Sequence, residues 1–495
     1  MNRLMKDIKL KNMKRINLVF AASLLVVSAY SQNSTKNEYE EWKPSKNEYA
    51  DFDIGKYFTP DIVRNRLDVN LDFQSYNSRY DYSYPDRESK SEYSSINGNI
   101  SSYFSHYVNT RKRISSLSGY LWLRSNYNSS KSKLTYTDDN SNNTDNASSS
   151  YQQNPSLYLN WSNKWYFSKL FFMDYGINSN ISYNFTQNKT KNQSEDSNEK
   201  QKAFSVNISP QLGIGYGRIE NVQDARQAVY IANALSKKKV LTRNLSNEEL
   251  FELSQIISTV KNKRFLDSRL HLIEEITSLD SFFEDKDLLA DNGVAYFTTL
   301  YDMWQYGDLF SRKSGYEISF LVRPYYNYRN SKYTPTIREI INNTNQHHIG
   351  LSFSYEKPVK FNWQHSFAAE VFGGVNSTSE QNKETGNDYK NDTKYKSFSA
   401  FANYSLGYYP NTRTNIQVTA SQEISKNIYD DDGNSMNSYT MLGANLYYYF
   451  SPNLRLTGNY GLLYRPNRFK GNEGHFSNSN SFSSSFSIRL TYSIF

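Results

Sequence analysis

The stretches of this chain whose residue types could do chemistry are few. GIGYGR at 213–218 imitates a dinucleotide-binding fingerprint, but it lies in a strand-like alternation without a surrounding βαβ unit. DDDGN at 430–434 has oxygen ligands suited to Ca²⁺ but lacks the EF-hand spacing, which favours a solvated turn. His347 and His348 are adjacent, but the chain has only four other His and no Cys. We therefore expect no cofactor and no metal.

A nucleophile–base constellation is also not evident. The sequence contains no GxSxG elbow, and its many serines fit polar strand faces and loops. A triad assembled from distant strands would leave no signature in the spacing. We expect that the chain is not an enzyme.

Charged side chains at alternate positions of strand-like segments are the best candidates for function. In the predicted register they point away from the apolar row, and they are Asp68, Asp72, Arg124, Glu317, Arg323, Glu356, Glu370, Arg455 and Arg489. Charges of both signs on an enclosed polar surface form either a constriction that selects solutes or a salt-bridged network that fills the space.

Alternation of apolar and polar residues runs through most of the chain. Leu67, Val69, Leu71 and Phe73 are separated by polar residues, and the last strand, FSIRLTYSIF at 486–495, repeats the pattern. A half-buried strand of a soluble sandwich alternates in the same way. The predicted strands are longer than the usual 5–6 residues or so, and they match the roughly 9–11 residues of a bilayer crossing. Tyr- and Phe-rich strand ends at 325–328, 407–410 and 447–450 are typical of an aromatic girdle.

Fourteen strands are predicted. Their approximate bounds are 66–77, 94–108, 114–128, 150–162, 169–185, 204–218, 315–328, 346–356, 362–376, 397–409, 414–424, 438–450, 454–465 and 482–495. Long polar loops, such as 78–93 and 129–149, alternate with short links, such as 109–113 and 451–453. An even strand number places both termini on the side of the short links.

The N-terminus resembles an export signal. Six basic residues precede an apolar run at 16–29, which predicts a signal peptide over 1–31 and an N-terminal periplasmic segment over 32–65. Fourteen apolar residues are too few to span a bilayer about 30 Å thick. Cleavage would lower the formal charge from +8 to +3, so we expect no nucleic-acid partner.

A helical period replaces the alternation between the sixth and seventh strands, over 219–314. Amphipathic helices are predicted at 221–239, 246–263 and 264–283, with a shorter one at 294–304. Ser246 and Glu249 have capping-box spacing. The insertion is interpreted as a compact subdomain without a site, as a docking module for an envelope partner, or as a partial plug of the space (lumen) that the strands would enclose.

The signal peptide, strand alternation, loop asymmetry and terminal Phe495 resemble the integral outer-membrane β-barrels of Gram-negative bacteria, in a Tyr-, Asn- and Ser-rich style similar to that of Bacteroidota proteins. The resemblance implies an antiparallel up-and-down transmembrane barrel, with strands 1–6 in 66–218, strands 7–14 in 315–495, and the last strand paired with the first. It also implies outer-membrane lipid and the barrel assembly machinery as partners, and termini in the periplasm.

Two functions are expected for such a chain. The first is a pore or transporter for small hydrophilic or amphipathic solutes. The alternative is a structural or assembly component of the outer membrane whose helical insert, 221–310, docks a periplasmic or envelope protein.

Overall fold

The computed structural model describes most of the chain from residue 51 onward. The described residues are 48–49, 51–137, 143–192, 196–262, 272–307, 311–335, 337–384, 388–430, 433–451, 454–471 and 476–492. Two units, Met1–Ala50 and Asp51–Phe495, are distinguished, and every element below belongs to the second. The predicted signal peptide over 1–31 and the terminal Phe495 lie outside the described residues.

Fourteen strands make up one sheet. They are β1 (Ile62–Ser83), β2 (Arg87–Asn109), β3 (Arg113–Tyr136), β4 (Thr144–Tyr166), β5 (Phe171–Lys191), β6 (Asp196–Asn221), β7 (Lys313–Thr334), β8 (Arg338–Val359), β9 (Trp363–Glu384), β10 (Tyr389–Tyr408), β11 (Thr414–Tyr429), β12 (Gly433–Ser451), β13 (Leu454–Lys470) and β14 (Phe476–Tyr492). Each strand pairs antiparallel with its sequence neighbours, so the order is up-and-down from β1 to β14. The predicted strand number and topology are confirmed.

The expected pairing of the last strand with the first differs from what the structure shows. Among the strand pairs that the described residues form, none joins β14 to β1. At the start of β1 the backbone N–H of Val63 donates to the side-chain oxygen of Asn262, 2.9 Å away, at the end of a helix of the insertion. One backbone donor of this edge strand is therefore satisfied by the insertion rather than by a neighbouring strand.

The predicted long loops are wrong, because most of their residues extend the strands. The link between β1 and β2 is only 84–86 and that between β7 and β8 only 335–337. These segments are rich in polar residues, and they pair across the hairpins, for example Tyr80 with Ser91 and Lys332 with Glu339, so that the ladder satisfies the backbone groups. What distinguishes the two ends of the sheet is the polarity of the hairpins rather than the length of the links. We call the end without polar hairpin extensions, where the link 110–112 lies, the short-turn end.

Each strand separates its side chains between two faces. On one face large apolar side chains are exposed along every strand, for example Leu71 at 74%, Ile214 at 65% and Leu490 at 62%. The opposite face carries mostly polar residues. Residues directly opposite each other in an antiparallel pair share a face, so each face continues from strand to strand. We call the two surfaces the apolar face and the polar face.

Four helices are described between β6 and β7: α1 (Gln223–Lys237), α2 (Asn247–Asn262), α3 (Leu272–Asp285) and α4 (Val294–Tyr306). The predicted helical insertion is confirmed, although residues 264–271 of the predicted third helix lie outside the described residues. The helices pack through fully buried residues that include Leu235, Leu253, Ile257, Leu279 and Leu300. Within the described chain, no helix is both long and apolar enough to cross a membrane.

The predicted capping box at the start of α2 is confirmed. The backbone N–H of Ser246 donates to the carboxylate of Glu249 at 2.8 Å, and the backbone N–H of Glu249 donates to the Ser246 hydroxyl at 3.2 Å. Arg243 adds two further hydrogen bonds to the same carboxylate, each 2.8 Å long. These bonds fix the direction in which the chain enters α2.

Candidate functional site: the polar face and its helical cap

The glycines of the GIGYGR stretch make room for side chains on the polar face. A Cβ at Gly215 would lie 2.6 Å from Cε2 of Phe172, and one at Gly213 would lie 2.6 Å from Cδ2 of Leu321. Phe172 and Leu321 are each only 1% exposed. Their packing over β6 requires residues without side chains there, which accounts for this glycine-rich stretch without any nucleotide.

Beside this packed patch, a chain of hydrogen bonds crosses several strands. Gln211 donates to Asp174 at 2.8 Å, and Arg323 donates to Gln211 at 2.8 Å. The same guanidinium makes a two-pronged ion pair with Glu370 at 3.0 and 3.1 Å, and Ser352 donates to Glu370 at 3.2 Å. Two predicted residues, Arg323 and Glu370, thus neutralise each other on the polar face.

Closer to the short-turn end, side chains of strands that are not neighbours touch. Lys164 of β4 pairs with Glu317 of β7, and the Tyr166 hydroxyl donates to the same carboxylate at 3.4 Å. Arg218 of β6 donates to Asn109 Oδ1 at 2.9 Å, to the Thr110 carbonyl at 2.9 Å and to the Arg111 carbonyl at 3.0 Å. Such contacts between strands three or four apart require the sheet to be strongly curved here, with the polar face inside the curve.

The register places all nine predicted residues on the polar face but does not gather them into one site. Glu317, Arg323 and Glu370 belong to the neighbourhood just described. Asp68 pairs with Arg66 at 2.7 Å, and Asp72 accepts a bond from Asn99 at 3.0 Å.

The remaining four predicted residues are spread over other strands. Arg124 donates to Asn126 at 3.2 Å, and Glu356 accepts from Gln364 at 3.0 Å and Ser366 at 2.6 Å. Arg455 and Arg489 are exposed and form no ion pair with other described residues.

A segment before β1, residues 51–61, crosses the short-turn end of the sheet, and we call it the strap. The Ser314 hydroxyl at the start of β7 donates to the Gly55 carbonyl at 3.3 Å. The Tyr57 hydroxyl lies 2.8 Å from that of Ser258 in α2, and burial raises the pKa of Tyr57. Since the strap continues into β1, it connects the first strand to the seventh across this end of the sheet. We call the turns and strand termini at this end the rim.

The helices, which we call the cap (residues 223–262 and 272–306), contact the rim through the buried Arg226 of α1, beside a second buried arginine, Arg312, which lies between α4 and β7. Arg312 donates to Gln364 Oε1 at 3.0 Å and to the carbonyls of Phe361 and Trp363 at 2.9 and 2.6 Å. Its guanidinium lies 5.0 Å from the ring centroid of Tyr409, and that of Arg226 lies 5.1 Å from the same ring. Burial, together with the charge of Arg226, lowers the pKa of Arg312 to about 10, so it remains charged at neutral pH.

Further ring contacts extend the cap around the rim. Tyr230 of α1 packs against Phe361 in the β8–β9 turn with centroids 5.0 Å apart, and Tyr306 of α4 packs against Tyr449 of β12 at 5.7 Å. Together with the Asn262–Val63 bond at β1, these contacts reach from β1 to β12. The cap therefore lies over the short-turn end of the polar face rather than beside the sheet.

Sequence reasoning missed the strap and the arginine anchors. Arg226 and Arg312 are 1% and 0% exposed, although isolated arginines in helical or linker sequence indicate solvated positions. A signal was available only at Tyr57, an aromatic residue in a polar segment preceding a strand. The contacts that bury these residues join segments up to 201 residues apart.

Comparison with known proteins yields only remote likenesses. No family model and no curated protein match the chain. The β-domain of the Bordetella autotransporter BrkA matches with 9% identity and a TM-score of 0.22, over 69% of this chain and 91% of that one. The siderophore receptor PirA of Acinetobacter baumannii matches with 9% identity and a TM-score of 0.19, over 89% of this chain and 75% of that one. At such low TM-scores neither likeness supports an argument.

Proposed function

We propose that this chain is an outer-membrane β-barrel whose polar face lines a passage for small hydrophilic solutes, with the cap and strap at its periplasmic mouth. The observation that carries the proposal is that the sheet has one apolar face and one polar face. Every strand exposes large apolar side chains on one face and polar side chains on the other. A continuous exposed apolar surface of this extent indicates contact with lipid.

Orientation follows from the same geometry. β1 begins and β14 ends at the short-turn end, away from the polar hairpin extensions, and in such barrels the longer extensions face the cell exterior. The cap and the strap would then lie in the periplasm, and the polar hairpins would extend outward. Outer-membrane lipid and the barrel assembly machinery are the partners that this location implies.

The charge pattern of the polar face favours small, weakly charged solutes. Arg323 is neutralised by Glu370, Lys164 by Glu317, and Arg218 by Glu220. Paired charges present hydrogen-bonding groups to a solute without a strong field of either sign. Because the cap covers the mouth, passage of a solute is proposed to require movement of the cap or a route around it.

Single-channel recording in planar bilayers tests this proposal. The chain has no Cys, so Tyr306→Cys with Tyr449→Cys permits a specific bifunctional maleimide cross-link between α4 and β12. Open-channel steps are expected from the wild type and from the uncross-linked variant, and cross-linking is expected to reduce their frequency. A wild type that remains silent would contradict conduction, and an unaffected cross-linked channel would contradict a moving cap.

A second candidate function, docking of a basic envelope protein, is favoured by the outer surface of the cap. Ile273, Val294 and Phe297 are 78%, 80% and 54% exposed. The residues 272–307 around them include eight acidic residues and one lysine. A photo-cross-linker at position 297 of the full chain is expected to capture a basic partner, whereas one at Glu252 of α2 is not. Equal adducts at both positions would count against docking.

A further inference from the structure

Tyrosines form a row across three strands of the polar face. Tyr103 of β2 lies opposite Tyr120 of β3, and Tyr120 lies opposite Tyr158 of β4. Side chains opposite each other on neighbouring strands have Cβ atoms about 4.5–5.5 Å apart. Trp122 adjoins the row, with its ring centroid 6.2 Å from that of Tyr120 in an edge-on arrangement. We call these four residues the aromatic row.

The rings of the aromatic row are open to the space that the polar face bounds. Trp122 is 38% exposed and Tyr158 is 36% exposed, whereas Phe172 on the same face is 1% exposed. Ring surface left in water costs free energy in proportion to its apolar area. A ligand that covers these rings would recover that cost.

Hydrogen-bonding groups border the row on both sides. Asn178 donates to the Tyr158 hydroxyl at 2.9 Å, and the Arg66 guanidinium lies 5.9 Å from the Tyr103 ring centroid. Arg66 also pairs with Asp68 at 2.7 Å. The aromatic surface is therefore flanked by an amide and by a balanced pair of charges.

We propose that the aromatic row binds the sugar rings of an oligosaccharide. The C–H face of a pyranose is apolar and stacks on an aromatic ring. Its hydroxyls can accept hydrogen bonds from Asn178 and Arg66 and can donate one to Asp68. A fatty acyl chain would cover these polar groups without offering them any hydrogen bond in place of water. An anionic ligand would compete with Asp68 for Arg66. The inference rests on the proposed function in that the polar face must be accessible to water.

Calorimetric titration of the full-length protein in detergent tests this inference with maltohexaose and cellohexaose as probes. The wild type is expected to bind at least one of them. Tyr120→Leu is expected to weaken binding about tenfold, and Tyr120→Phe, which keeps the ring, is expected to bind like the wild type. Tyr127→Leu is the matched control, because Tyr127 is 41% exposed on the apolar face of the same strand.

Three results would overturn the inference: no binding of either hexaose to the wild type, equal affinities of Tyr120→Leu and wild type, or an equal loss in Tyr127→Leu. Folding of each variant is checked by its shift in gel mobility on heating. Channel recording separates this inference from the proposed function. A conducting protein that binds no hexaose contradicts the inference alone, and a silent protein that binds one contradicts conduction alone.

Discussion

The guanidinium of Arg312 lies 5.0 Å from the ring centroid of Tyr409, so the residue just before β7 packs on the link between β10 and β11. Both side chains are buried, at 0% and 7% exposure. A charged group is tolerated there because it donates to one side-chain oxygen and two backbone carbonyls. The segment that links the cap to β7 is thus held to the rim by polar contacts that depend on a planar, three-nitrogen head group, and the Arg312 carbonyl accepts a bond from Val222 N–H, just before α1, at 2.9 Å.

Substituting Arg312 with Lys tests this anchor. Lysine keeps the charge but cannot reproduce the planar fork of hydrogen bonds, so we expect the cap to be destabilised by about 2–4 kcal/mol. Hydrogen exchange in detergent should show faster exchange in α1 (Gln223–Lys237). Arg468→Lys is the control, because Arg468 is exposed on β13. Unchanged protection of α1 in Arg312→Lys would show that the anchor is dispensable.

Acid should loosen α2 through Glu249. The hydrogen bonds from Arg243, opposed by burial and aided by the backbone N–H of Ser246, lower the pKa of Glu249 from 4.5 to about 2. Because the folded pKa lies below the unfolded one, the stabilisation is complete above about pH 4.5 and is lost as the pH falls toward 2. Arg243 is 52% exposed, so solvent screening limits the effect to about 1–2 kcal/mol.

Urea titrations followed by helical circular dichroism at several pH values measure this effect. Glu249→Gln is expected to flatten the dependence of cap stability on pH between about 5 and 3. Glu252→Gln is the control, because Glu252 is 47% exposed and pairs only with Lys286 in the described contacts. A pH dependence that survives in Glu249→Gln would assign the effect to another group.

Gly215→Ala should destabilise the sheet. The new Cβ would lie 2.6 Å from Phe172 Cε2 and 2.7 Å from the Ser319 hydroxyl, and overpacking of this kind costs about 1–3 kcal/mol. Gly98→Ala is the matched control, since a Cβ there meets no atom within 4 Å. The temperature at which gel mobility shifts should fall for Gly215→Ala and not for Gly98→Ala. Equal shifts would mean that the packing over β6 is looser than described.

Arg323→Ala should shift ion selectivity toward cations. Removing the guanidinium leaves the Glu370 carboxylate, 3.0 Å from it in the wild type, without its counter-charge. Reversal potentials in a KCl gradient across planar bilayers measure the shift, and Arg455→Ala should shift them in the same direction. The double variant Arg323→Ala with Glu370→Ala should return toward the wild type. Unchanged potentials in all variants would place these residues off the conduction path.

Local patterns in the sequence determined the strand number, the position of the insertion and the face on which each predicted charged residue lies. Period-two alternation specifies a face directly, because a slip of one residue would reverse every side chain. The capping box of Ser246 and Glu249 could also be predicted from the sequence, since it joins residues three positions apart. Such properties depend only on near neighbours in the chain.

Only the tertiary structure decided which of those charged residues meet. Lys164 reaches Glu317 across 153 positions because the sheet is curved, and the strap reaches α2 across 201. The hairpin extensions were also missed. Their strands continue as a backbone ladder, but their mainly polar sequences lack the apolar–polar alternation from which strands are predicted. Burial of Arg226 and Arg312 depends on partners that distant segments supply, and no local pattern encodes them.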